Sequence, residues 1–415
     1  MDSSQRVKNR FLFGYNMLYL GSNYLWISLE SLILPTQIGA VVDPSQVGFI
    51  LGITASVGNA LGMMGNLLAG ILSDRLRNGK SLRYPYIIAG VVVVILTLIL
   101  EPFISGSLPG ILSGYILLQA FSNMAIGATQ PVLAEIQNKD QRGTSAGING
   151  LFSLMGTGLG FGLTSYLISS PFVNYDFYAI AAGVAITGTG TLLALHARRS
   201  TFLSVNMSYT SISLPHISNI RNFPINLIKF GKLIAGSFFV FSGITGLTYF
   251  ELYFFKEVLN FSNAAIYVGI AGIVVIIVSS ASAMVLGHYS TRLGRWNIII
   301  ADAIAASIPT FIIPYFRSFY IFLILGSIIG ATYGTFYSVS FAVASDLIPE
   351  NESGKYMSYF YLSIAGASSF SPLIYGSVLL FFGQTSSKGF TALFTLSGIF
   401  YLIGAAILYL AHKTK

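Results

Sequence analysis

The chain is a succession of twelve long apolar runs with short polar segments between them, and this pattern constrains its fold more than any motif. A bilayer core of about 30 Å takes roughly 20 apolar residues per helix. Runs of that length satisfy their backbone N–H and C=O groups in lipid by becoming helical. Spans are predicted near 11–40, 46–72, 85–102, 110–136, 144–169 and 176–196, and again near 232–255, 264–287, 296–314, 320–347, 355–382 and 389–411. Only 9% of the 415 residues are charged, against about 25% in soluble domains, too few to give a globule a polar surface. The expected class is therefore an all-α polytopic membrane protein, with lipid as its solvent and a cell membrane as its location.

The net charge of +8 does not imply a nucleic-acid partner, because the basic residues sit in the connections between apolar runs. Three of the 22, Lys256, Arg317 and Lys388, fall in odd-numbered connections; the other 19 fall at the termini and in even-numbered ones. Basic residues stay on the cytoplasmic side, so both termini are expected to be cytoplasmic. The run from Phe11 to about Val42 exceeds the roughly 7–15 residues of a signal-peptide core and reads as a retained first helix. Cysteine is absent, and His196, His216, His288 and His412 are scattered. Neither spacing suits a metal site, and no metal or cofactor is expected.

The longest polar connection, about Ala197 to Gly231, is rich in Ser and Asn and carries Pro215 and Pro224, a linker composition. It divides the chain into six-helix bundles at 1–196 and 232–415. The halves repeat one another. Glu135 and Asp346 each precede a glycine, Gly143 and Gly354, by eight residues, while Glu30 and Glu251 precede Gly48 and Gly269 by 18. "GILSDRLR" after the second span is echoed by "GHYSTRLGR" after the eighth. Parallel repeats of this size are a known transporter architecture.

At these residues the chain resembles the major facilitator superfamily. "GILSDRLRNGKSLRYP" is similar to that family's loop between helices two and three, with Gly70, Asp74 and Arg75 matching and Arg77 where a second glycine is usual. "AEIQNKDQRG" resembles the loop after helix four, and "LRYPYIIAG" points toward the sugar–cation symporter and sucrose-transporter-like branch. Asn123, four residues before Gly127, stands where many proton-coupled members carry arginine, and Phe161 stands where drug antiporters carry proline. The resemblance implies alternating access, with Asp74 and Arg75 acting as a cytoplasmic latch. Its weaker second-half copy keeps only Arg292, beside Thr291.

Candidate site residues follow from polar positions inside the runs. Asn16, Asn23, Glu30 and Gln37 recur every seven residues and share one helix face. They either line a cavity or tie helices together. Glu30 and Glu251 lie at similar depth in the outer half, as a proton-coupling pair, a gate, or groups bordering the outer interface. Asn23, Trp26, Asn59, Asn123, Tyr333 and Tyr337 offer the amides and rings that a neutral polyhydroxylated ligand needs. Gly326, Gly330 and Gly334 form a packing face. Gly143–Gly147 matches a nucleophile elbow but opens a membrane helix instead of following a strand, and Gly79-Lys80-Ser81 resembles only the end of a phosphate loop, with Asp74 at the required earlier glycine, so no enzyme is expected.

The expected function is secondary transport of a small, neutral, sugar-like solute, with proton coupling through the carboxylates. The chain would act as a monomer among membrane lipids. The alternatives are export of cationic or hydrophobic compounds, or a non-transporting receptor or lipid-handling protein on the same scaffold.

Overall fold

The computed structural model describes residues 8–75, 83–136, 141–172, 174–197, 225–348 and 353–414. These are almost entirely helical, with no strand among the described residues. Among the described residues, eleven helices are each long and apolar enough to cross a membrane. The first crossing makes twelve, carried by three consecutive helical pieces: Asn9–Ile27, a π-helical stretch Ser28–Ile33, and Leu34–Val41. The π stretch has a local cause in Pro35. Proline lacks the N–H that would bond the carbonyl four residues back, so the register widens just before it.

The chain forms two compact units, Met1–Asp43 with Val57–Met207 and Val268–Ile270, and Pro44–Ser56 with Ser208–Tyr267 and Ala271–Lys415. The second to sixth spans are Val47–Arg75, of which residues 57–75 fall in the first unit, and, wholly within that unit, Arg83–Ile104, Leu108–Ile136, Arg142–Ile168 with a π turn at Gly160–Thr164, and Tyr175–His196. The first span packs on the fifth and sixth, and the third on the fourth and sixth.

In the second unit the spans are Ile225–Thr248, Ala264–Leu293 apart from Val268–Ile270, Arg295–Ile312, Phe319–Leu347, Ser353–Phe382 and Ser387–Lys413. Here the seventh packs on the eleventh and twelfth, and the ninth on the tenth and twelfth. These pairings are those of the first unit shifted by six helices, so the sequence repeat is also a repeat of packing.

Because lipid tails are as apolar as leucine, packing here relies on close approach and polar bonds rather than on hydrophobic transfer. The glycine face of the tenth span illustrates it. A Cβ on Gly330 would meet Val275 Cγ1 at 2.7 Å, and one on Gly334 would collide with the Ser279 backbone. Ser282 Oγ adds a 2.6 Å bond to the Ala331 carbonyl. Gly326, the third glycine of the predicted face, has nothing closer than 3.7 Å and takes no part in the tight contact.

Two boundaries differ from the sequence reading. Residues 225–231, assigned to the linker by composition, are helical. Phe230 there is buried in the core of the second unit and meets the Tyr356 ring edge-on at 5.7 Å; this tertiary contact extends the helix. The seventh span also does not run on to 255. It stops at Thr248, turns through Tyr249 and Phe250, and resumes as Glu251–Tyr253 and a π stretch Phe254–Val258. Tyr249 and Phe250 are each 1% exposed, and inserting both rings into the core breaks the register. Glu251 therefore heads a short helix after a break instead of sitting inside a continuous one.

Candidate functional site: a shared amide in the first unit

Gln119 is the centre of the site. It lies on the fourth span with Tyr115, Ser122 and Asn123, at spacings that place all four on one helix face. Its Nε2 donates to Glu30 Oε1 at 2.9 Å, to Asn59 Oδ1 at 3.1 Å and to the Tyr115 hydroxyl at 2.9 Å. Its Oε1 accepts from Asn123 Nδ2 at 3.2 Å, whose own helix carbonyl at Gln119 accepts from the same nitrogen at 3.0 Å. Beside it Trp26 Nε1 donates to Ser122 Oγ at 3.0 Å. The first, second and fourth spans thus converge on one buried amide, which is 2% exposed.

The second span admits this cluster through two glycines. A Cβ on Gly58 would overlap the Tyr115 ring, and one on Gly62 would stand 2.8 Å from Asn123 Nδ2. Glu30 is the third residue of the π stretch, and such stretches recur where side chains serve a function. An amide nitrogen carries two protons, so Gln119 cannot serve three acceptors at once. The cluster is an over-subscribed donor facing two half-buried acceptors, Glu30 and Asn59, and one buried one, Tyr115.

Trp26, Glu30, Asn59 and Asn123, chosen from sequence, are thus brought together. Asn23 is not among them; its amide donates to the Tyr19 carbonyl one turn back on its own helix, 2.8 Å away. The seven-residue stripe divides by role. Asn16 is fully buried and ties the fifth span through Ser145 and Asn149. Gln37 donates to Glu101 Oε1 at 3.2 Å.

Tyr333 and Tyr337 meet in the second unit, with centroids 6.1 Å apart, and Phe241 lies edge-on to both. Tyr337 continues to Phe341 at 5.0 Å and Phe341 to Tyr361 at 5.1 Å. The result is a continuous aromatic surface. Glu251 is half-buried in that same unit.

Of the latch residues, Gly70 is helical and its carbonyl accepts from Ser73 Oγ at 3.0 Å. Asp74 and Arg75 end the second span, and their side chains lie outside the described residues. Arg292 is exposed in the last turn of the eighth span. Three residues on, the Arg295 guanidinium pairs with Asp346. Sequence repetition pointed to Arg292 because it aligns with Arg75; the helix break at Gly294, with φ of 85°, aims Arg295 at the tenth span instead.

Three buried carboxylates escaped the sequence reading. Glu101 and Asp176 are 1% exposed and Asp302 is 9%. Asp176 accepts from Thr164 Oγ1 at 3.0 Å, and Thr164 shares a 2.7 Å bond with Ser28, so the two π stretches of the first unit are bonded to each other. The available signal was an acid inside or at the rim of an apolar run. Gln119 was also legible, as a polar residue four positions from both Tyr115 and Asn123.

The fold is shared with solved transporters. The nucleoside transporter NupG is 16% identical with a TM-score of 0.73, covering 98% of this chain and 100% of that one. A D-xylose–proton symporter is 17% identical with a TM-score of 0.67, covering 96% and 94%. A peptide transporter, POT, is 14% identical with a TM-score of 0.71, covering 96% and 93%. No curated protein sequence matches the chain. The family model of the Major Facilitator Superfamily matches residues 11–319, most of the chain, and with two six-helix sets that repeat in sequence and in packing the chain belongs to that superfamily.

Proposed function

We propose that this protein is a secondary transporter of a small, neutral, polyhydroxylated solute, working by alternating access and coupled to protons through Glu30 and Glu251. The observation that carries the reading is Gln119, one amide donor shared among Glu30, Asn59 and Tyr115. A neutral solute with several hydroxyls can exchange for these partners one at a time. The described bonds of the cluster run between amides, a phenol and one carboxylate, groups that suit a neutral ligand; a desolvated organic anion would need a compensating cation. The tyrosines of the second unit supply ring faces for the apolar side of a sugar-like solute. The reading includes a monomer in the cell membrane with both termini cytoplasmic.

The test is solute movement in proteoliposomes. A panel of sugars, polyols, nucleosides, peptides and organic cations is first screened by thermal stabilisation of the purified protein, which reports binding by linkage. For the hit, Glu30→Gln and Glu251→Gln should abolish accumulation driven by a proton gradient while leaving solute-for-solute exchange largely intact. Full accumulation in the double variant would remove these carboxylates from coupling. A phosphate ester or dicarboxylate as the transported hit would overturn the neutral-solute reading.

A further inference from the structure

We propose that a groove formed by the turn after the ninth span together with the eleventh and twelfth spans binds one anionic phospholipid, with Arg317 and Lys388 holding its phosphate. The cavity has a volume of about 760 Å³ and lies within the second unit. Its lining changes character along its length. At one end stand Arg317, Ser387 and Lys388; at the other, Leu396 and Ile399, with Val378 between. Ser387 to Ile399 is twelve residues of continuous helix, about 18 Å of descent at 1.5 Å per residue. A cationic head site at the mouth and an apolar trough below it match a phospholipid in polarity and direction.

The placement of charge singles out this groove. Odd-numbered connections carry only Lys256, Arg317 and Lys388 among 22 basic residues, and two of those three line this one cavity. Arg317 is also held in place. Its two terminal nitrogens donate to the Val258 carbonyl at 2.9 Å and to Ser387 Oγ at 2.6 Å. A guanidinium has five N–H donors, so this anchoring leaves others for a phosphate, in a pre-set orientation. Lys388 is exposed beside it and can reach the same group as a mobile point charge. Tyr315 and Phe382, 72% and 60% exposed, flank the mouth as amphipathic and aromatic residues do at a headgroup boundary. A soluble anion would use the cations and leave the trough without a partner, whereas a lipid fills both.

The experiment uses the full-length protein, purified in detergent and stripped of lipid. Phosphatidylglycerol is compared with phosphatidylcholine of identical acyl chains, and glycerol 3-phosphate serves as the headgroup alone. Native mass spectrometry should show one phosphatidylglycerol retained, with at least tenfold preference over phosphatidylcholine and no competition by glycerol 3-phosphate. Arg317→Gln also removes the bonds to Val258 and Ser387, so Lys388→Gln is the cleaner variant and should lower affinity for phosphatidylglycerol about tenfold. Thr395→Trp, which fills the trough and leaves both cations, should abolish retention. Equal binding of the two lipids, wild-type preference in Lys388→Gln, or full retention by a folded Thr395→Trp protein would each overturn the proposal. So would displacement of the lipid by glycerol 3-phosphate, which would mark a soluble-anion site.

Discussion

Gln119 donates to Glu30 across 2.9 Å, so a carboxylate on the first span and an amide on the fourth act as one polar unit. Replacing Gln119 with leucine removes the donor shared by Glu30, Asn59 and Tyr115. Solute affinity should fall by up to about tenfold, since a hydrogen bond from Gln119 to the solute contributes about 0.5–1.5 kcal/mol. Equilibrium binding on folded, monodisperse protein checks this; unchanged affinity would separate the cluster from the solute site.

Gln119→Glu tests the same pair through pH. Two carboxylates this close do not both ionise readily, and one protonated acid can again donate where the amide did. Transport by this variant should be present at acidic pH and lost as pH rises, while the wild type keeps its own profile. Coincident profiles for the two proteins would disprove the pairing in the transporting state.

Thr164 bonds both Ser28 and Asp176. Thr164→Val keeps the shape and removes both bonds, and should destabilise the protein by about 1–3 kcal/mol. Asp176→Asn keeps an acceptor for Thr164 and removes a potential buried charge, so it should be neutral or stabilising. Thermal unfolding in detergent distinguishes them, and greater loss in Asp176→Asn than in Thr164→Val would contradict the assignment.

The Arg295–Asp346 pair is a surface ion pair, with side chains 27% and 55% exposed. Breaking it by Asp346→Asn should cost no more than about 1 kcal/mol and should weaken further with salt in the wild type. Its expected role is in the latch. Distance measurements between the end of the second span and that of the eighth should shift more for Asp346→Asn than for Arg292→Gln, and the reverse order would return the latch to Arg292.

Orientation can be read by labelling, because the chain has no native cysteine. A single cysteine at Ser107 should react with an impermeant reagent added outside, and one at Ser81 only with a permeant reagent. Outside labelling of Ser81 would invalidate the twelve-span topology.

Sequence alone determined the class, the number of crossings and the duplication, because these depend on local composition and spacing. Twenty apolar residues become a helix in lipid wherever they occur, and a repeat separated by a fixed number of residues is visible without coordinates. Trp26, Glu30, Asn59 and Asn123 were legible for the same reason: each is polar or amphipathic inside an apolar run. What periodicity could not decide is which spans pack together. Tertiary structure made Gln119 their common partner, set Asn23 aside on its own helix, and turned Asn16 into a tie to the fifth span. It also decided the breaks, since the burial of Tyr249 and Phe250 stops the seventh helix before Glu251. It gave the acid Asp346 to Arg295 instead of Arg292. Each of these outcomes is settled by contacts between residues far apart in the chain, whose partners are fixed only once the helices have packed.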